Sequence, residues 1–205
     1  DDDGLDPEDE NEDTDETDEG DDENEDTDET DEGEDENEDT DDSGGDMLPE
    51  LETPQGAFTL TLPESGDDTD IVVAGSELLV LSGDTATRHV ELSGVTSLTI
   101  QGGDSADFVL LDLEEASPLG LESITVNGGS DNDRIQVHGY RDEIATTLTV
   151  NGDDGNDSVL VASSGSTVNL NGGDGNDRLD GGQGADNIDG GAGNDILQGR
   201  GGNDI

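Results

Sequence analysis

"NGGDGNDRLDGGQGADNIDGGAGNDILQGRGGNDI", residues 171–205, returns a glycine cluster and an aspartate every nine residues. Asp177, Asp186, Asp195 and Asp204 each close such a cluster, and the first three are followed by the short triplets "RLD", "NID" and "ILQ". Glycine loses more conformational freedom on folding than any other residue, so its repeated use needs a compensating gain.

The same turn recurs upstream in looser form, as "GGDSAD" (102–107), "GGSDND" (128–133) and "GDDGND" (152–157). From Asp107 to Asp133, Asp157 and Asp177 the intervals are 26, 24 and 20 residues, and two intervals of nine carry the series on to 18 at Asp195. Between the turns lie short runs such as "FVLLDL", "SITVN", "RIQV", "TLTVN" and "SVLVA", rich in β-branched residues and near period two. Such runs read as strands. The pattern predicts an all-β parallel solenoid whose coils each hold two strands and two turns and shorten toward residue 205. One edge would carry Asp107, Asp133, Asp157, Asp177 and Asp195. The other has the links "EEASPLG", "GYRDEIA" and "ASSGS" in early coils and would carry Asp186 and Asp204 in the last ones.

A turn of this composition suits a hard divalent cation. Calcium takes six to eight oxygens, and backbone carbonyls supply them only where a chain bends sharply. Glycine permits the positive φ of such a bend, and the aspartate adds a carboxylate. Stacking sets a second turn beside the first, so that one ion draws on both. Without it, carboxylates spaced at the strand separation of about 4.8 Å repel one another. Metal binding and folding are then expected to be one event.

Composition narrows the partners. The chain has 205 residues, 59 Asp plus Glu, five Arg, no Lys and a formal net charge of -54. That charge disfavours nucleic acid and anionic lipid, both of which are held by basic side chains. No cysteine is present, which excludes disulfides and thiolate chemistry. No apolar run approaches the roughly 20 residues of a membrane span. Residues 1–46 carry 30 of the acids and no base, with "DENEDTDETDEG" recurring at a period of 13. This segment is expected to be a disordered acidic linker, since it holds too little apolar surface to offset its ordering entropy. Only diffuse binding of divalent cations is expected there. Because the chain opens "DDDG" and stops within a repeat, it reads as a piece of a longer protein.

The tandem motifs "GGDGNDRLD", "GGQGADNID" and "GGAGNDILQ" resemble the RTX, or haemolysin-type, calcium-binding nonapeptide, G-G-x-G-x-D-x-U-x. The resemblance implies a right-handed parallel β-roll with calcium between turns 18 residues apart. Carried onto this chain, Asp177 pairs with Asp195 and Asp186 with Asp204, and Asp133 and Asp157 are further candidates in longer coils. Turn carbonyls complete the sets at Gly172, Gly173, Gly175, Gly181, Gly182, Gly184, Gly190, Gly191 and Gly193. Asp107 departs from the motif because Ser105 stands where its third glycine belongs, and Arg200 replaces the second glycine of the last turn.

The resulting division is a linker at 1–46, solenoid coils forming a metal-free cap at 47–101, degenerate coils at 102–171 and calcium-binding repeats at 172–205. Within this cap, "SGDTATR" stands where an aspartate turn is expected, with Thr87 and Arg88 in place of the aspartate. By resemblance, the function is calcium binding with calcium-dependent folding, in a secreted, extracellular or bacterial cell-surface protein. The alternatives are an adhesin or matrix segment binding a protein or glycan partner, and an accessory domain of a secreted hydrolase or toxin. His89 and His138 are isolated, and the chain has neither H-E-x-x-H nor G-x-S-x-G, so no enzyme is expected in this segment.

Overall fold

The computed structural model describes residues 48–64, 68–83, 85–116, 119–141, 143–145, 147–163 and 165–205, so the expected acidic linker lies outside the described residues. The described chain is all strand and turn, with fifteen strands in two sheets.

The regular part alternates between the sheets. Strands β6 (Val95–Gln101), β8 (Ser123–Ser130), β10 (Leu148–Asp154), β12 (Val168–Asp174) and β14 (Asn187–Ala192) stack in one sheet, with β2 (Gly56–Thr61) beyond β6. Strands β7 (Phe108–Asp112), β9 (Arg134–Tyr140), β11 (Ser158–Ser163), β13 (Arg178–Asp180) and β15 (Ile196–Gln198) stack in the other. Every neighbour among these is parallel, so each step along the chain crosses the core and each coil adds one strand to both sheets. These are the coils of two strands and two turns that the spacing predicts, in the parallel β-roll arrangement that the resemblance implies.

Alternation along each strand sets the core. On one inner face Ile124, Leu148 and Val168 share a register row, and Val126, Val150 and Leu170 share the next. Opposite them Val109, Ile135, Val159 and Leu179 form a row, with Leu111, Val137 and Val161 beside it. All of these are buried. At the last coil Leu197 is 47% exposed and Ile196 55%, so burial fades where the stack ends.

The upstream part departs from the simple coil. Strands β3 (Asp68–Ala74), β4 (Glu77–Ser82) and β5 (Thr85–Glu91) form an antiparallel meander, which joins the roll through the parallel pair β3 and β7. The short β1 (Leu51–Glu52) adds to β5 in parallel. Thr87 and Arg88 therefore lie in a strand, where a coil turn was expected. The reason is local: Gly75 and Gly83 take positive φ (66° and 59°) and reverse the chain in two tight hairpins. Arg88 then reaches Glu52 through Nε and Nη2, each at 2.8 Å, and lies over the Phe58 ring at 5.6 Å. These contacts tie β1, β2 and β5 together over the end of the core. No helix among the described residues is long and apolar enough to cross a membrane.

Candidate metal centre

The turns between β6 and β7, β8 and β9, β10 and β11, β12 and β13, and β14 and β15 lie along one edge of the roll, because the strands they join are in register. Their aspartates form a continuous ladder. Each backbone N–H donates to Oδ1 of the next aspartate: Asp107 to Asp133, Asp133 to Asp157 and Asp157 to Asp177 at 2.8 Å, and Asp177 to Asp195 at 3.0 Å. The opposite edge repeats the device over fewer coils, with Val168 N–H donating to Asp186 at 3.1 Å and Asp186 N–H to Asp204 at 3.0 Å.

One carboxylate oxygen is thus used in the ladder, while the second turns inward. Oδ2 of Asp133, Asp157, Asp177 and Asp186 is buried without a hydrogen-bond partner. A buried polar atom left in that state costs free energy that native folds avoid. Asp107 differs because its Oδ2 accepts from Gly103 N–H at 3.2 Å. Asp195 is half-buried and Asp204 exposed, as befits the last coil. Asp133 and Asp157 stand in the same surroundings as Asp177, although the sequence motif is weaker around them.

The glycines explain how the oxygens come so close. At the first position of each motif, a Cβ on Gly128, Gly152 or Gly172 would lie 2.3 Å from the aspartate Oδ2 of the same turn and within 2.6 Å of a carbonyl oxygen of the next coil. Gly181 and Gly190 hold the corresponding place 2.4 Å from Asp186 Oδ2 and Asp195 Oδ2. Gly184 is enclosed by the carbonyl of Ser166 and by Asp186 Oδ1. Positive φ accounts for Gly173, Gly175, Gly182, Gly191 and Gly193, whereas Gly172, Gly181, Gly184 and Gly190 are required by crowding with oxygen. Each turn is therefore a small cradle of carbonyl and carboxylate oxygens from two adjacent coils.

Burial raises the pKa of Asp107, Asp157 and Asp186 above the ordinary carboxylate range, and that of Asp133 to about 7. The ladder hydrogen bond partly opposes this at Asp133, and the charges of Asp157, Asp107 and Asp131 add to it. Among the described residues no three His, Cys, Asp or Glu side chains gather at one point. A cation held here would depend on backbone carbonyls together with one or two aspartates. That donor set consists of hard oxygens, and the unpartnered Oδ2 atoms supply the negative charge such an ion needs. The residues therefore fit calcium, and the aspartates of adjacent coils, with the turn carbonyls between them, would hold it.

A second ladder was not foreseen from the sequence. Asn132, Asn156, Asn176 and Asn194 precede the turn aspartates, and Oδ1 of each of the first three accepts from both the backbone and the side-chain N–H of the asparagine one coil further on, at 2.7–3.2 Å. Its signal was the recurring Asn-Asp pair, at the same intervals as the aspartates. This ladder fixes the outer rim of the turn while the aspartates face in. Arg200 shows how the last turn tolerates its missing glycine: it takes φ 62° and its guanidinium pairs with the buried carboxylate of Asp180.

Residues 171–205 match the family model described as the RTX calcium-binding nonapeptide repeat, in four copies. Comparison with curated proteins and with solved structures returned no match.

Proposed function

We propose that this chain binds calcium along both turn edges of the roll, and that the ions complete the fold of a secreted or cell-surface protein. The observation that carries this reading is the set of four buried, unpartnered carboxylate oxygens on Asp133, Asp157, Asp177 and Asp186. Such a group needs a proton or a cation. The chain contains no Lys, and none of its five arginines pairs with these four carboxylates, so the charge is met by a proton or by a cation from solvent. Carbonyl-rich cradles favour calcium, which accepts irregular coordination, over magnesium, which keeps its waters and an octahedral shell.

The stabilisation is large enough to matter. At free calcium 100 times Kd, each independent site contributes about 2.7 kcal/mol. A few such sites equal the entire stability of an ordinary domain, about 5–15 kcal/mol. A chain built this way stays unfolded where calcium is scarce and folds where it is plentiful. RTX repeats are typical of secreted bacterial proteins, which supports the extracellular assignment. We read the segment as a non-catalytic folding module of its parent protein.

Circular dichroism of the full chain tests this, titrated with calcium and separately with magnesium from a metal-free start. Strand signal is expected with calcium and not with magnesium. The same spectrum in excess chelator would remove the folding role, and a calcium stoichiometry of zero by calorimetry would remove the binding.

A further inference from the structure

The outward face of the β9–β11–β13–β15 sheet carries two of the five arginines in this acidic chain, Arg134 and Arg178, and Arg200 follows its last strand. Arg134, Ser158 and Arg178 share one register row on β9, β11 and β13, immediately after the turn aspartates. All three are exposed. Two residues further along, Gln136, Leu160 and Asp180 form the next outward row. With Arg200 at one end, these residues line a cavity of about 210 Å³.

The partners of the five arginines separate them. Arg88 pairs with Glu52 and Arg200 with Asp180, while Arg141 donates to the carbonyls of Leu113, Gly139 and Ala116. Among the described residues, the hydrogen-bond partners of the Arg134 and Arg178 guanidinium groups are glutamine amides. Gln136, with its amide oxygen toward Arg134, accepts from Nε at 3.0 Å and Nη2 at 2.7 Å, and the Arg134 guanidinium lies 5.4 Å from the Phe108 ring centroid. Arg178 Nη2 donates to Gln198 Oε1 at 2.9 Å. Glutamate at either glutamine position would neutralise these cations, yet a chain with 59 acids places neutral amides there. Among the described residues, Arg134 and Arg178 form no ion pair. They retain net charge and free donors on either side of the Ser158 hydroxyl, roughly 10 Å apart at two strand spacings.

We propose that this face binds an acidic sugar. Its carboxylate lies over Ser158 between Arg134 and Arg178, since guanidinium donors match carboxylate geometry. The apolar side of its ring covers Leu160, and the Gln136 amide beside it takes its hydroxyls, while Asp180 stays buried against Arg200. Uronic acids combine these features: one carboxylate, one apolar ring face and a rim of hydroxyls. The net negative charge of the chain does not prevent binding, because at physiological ionic strength charges beyond a Debye length of about 8 Å are largely screened. The site uses a different face and different residues from the calcium cradles.

The test is calorimetric titration of the full chain with galacturonic acid in millimolar calcium, after circular dichroism has confirmed strand structure in every sample. Galactose, inorganic sulfate and a short polyaspartate peptide serve as comparison ligands. Saturable binding of galacturonic acid is expected, weakened about tenfold or more in Arg134→Gln and in Arg178→Gln, as when a charged hydrogen-bond partner is removed. It should persist in Arg88→Gln, a charge-matched control at the other end of the molecule. Absence of saturable binding by folded protein, or equal binding in Arg178→Gln, would overturn the proposal. Equal affinity for sulfate or for polyaspartate would overturn the sugar assignment, and equal affinity for galactose would overturn the role of the arginines. If strand structure is present but calcium does not bind, the calcium reading fails and this proposal is still decided by the same titration.

Discussion

The backbone N–H of Asp133 donates to Oδ1 of Asp157 at 2.8 Å, while Oδ2 of that same Asp157 is buried without a partner. One carboxylate therefore does two jobs: it locks adjacent coils together and leaves a negative oxygen inside the turn. The two can be separated chemically.

Asp157→Asn keeps an oxygen acceptor for the Asp133 amide and puts an NH₂ donor where Oδ2 stood. That site is shared with the Gly172 carbonyl, since a Cβ on Gly152 would lie 2.3 Å from the one and 2.5 Å from the other. The donor satisfies what the carboxylate oxygen leaves open. The melting temperature of the calcium-free variant is expected to rise above that of the parent, while the increment on adding calcium shrinks. The loss is that of about one site, on the order of 2.7 kcal/mol at 100 times Kd. Asp177→Ala removes the ladder bond as well and should lower both values. An undiminished calcium increment in both variants would take these aspartates out of the metal sites.

Gly172→Ala tests crowding apart from backbone conformation. Gly172 does not have positive φ, but an added methyl group would lie 2.3 Å from Asp177 Oδ2 and 2.4 Å from the Gly190 carbonyl. Overpacking of this kind costs about 1–3 kcal/mol, and the displaced carboxylate should weaken calcium binding too. Gly120 is the control: nothing lies within 4 Å of its Cβ position. Gly120→Ala should leave stability unchanged or raise it by about 0.4–1 kcal/mol through the unfolded chain. Thermal melts in calcium compare the two, and equal losses would mean that glycine matters here only for flexibility.

The regular coils were legible because one residue type, aspartate, marks the same corner of each and the intervals between corners shrink smoothly. The meander from Asp68 to Glu91 was not, since the alternation of "DIVVA" and "ELLVL" is the same whether neighbouring strands run parallel or antiparallel. Direction is decided by the connection, and Gly75-Ser76 between those runs is a two-residue hairpin signal. The glycines of the turns were read through φ, which accounts for Gly173 but not for Gly172. Part of the crowding at Gly172 comes from the Gly190 carbonyl, 18 residues on, and exists only once the coils stack.

Arg200→Gly restores the motif glycine and removes the left-handed strain of a residue at φ 62°. It also strips the buried Asp180 carboxylate of its cation. Loss of the partner should dominate, because a buried charge left uncompensated costs more than one backbone outlier relieves. The melting temperature is expected to fall in Arg200→Gly and to recover in the double variant with Asp180→Asn. A single variant more stable than the parent would show that the ion pair contributes less than the backbone strain.

The raised carboxylates set the sign of the pH response without calcium. Asp133 titrates near 7 in the fold against an ordinary value of 3.8, and burial shifts Asp107, Asp157 and Asp186 in the same direction. Between those values the folded chain binds more protons than the unfolded chain, so its stability falls as pH rises through that window. In metal-free buffer the strand signal should accordingly be stronger at about pH 5 than at about pH 8, with part of the change centred near Asp133's own value. Calcium held at these oxygens, as proposed, would compete with protons for them, so its affinity should fall over the same descent in pH. General relief of the acidic charge would instead act around the ordinary carboxylate range. Asp133→Asn separates the two causes, since it should abolish the component near neutrality and leave the more acidic one. Circular dichroism of both chains across this range, without and with calcium, supplies the comparison; a strand signal that weakens on acidification would show that burial does not govern these aspartates.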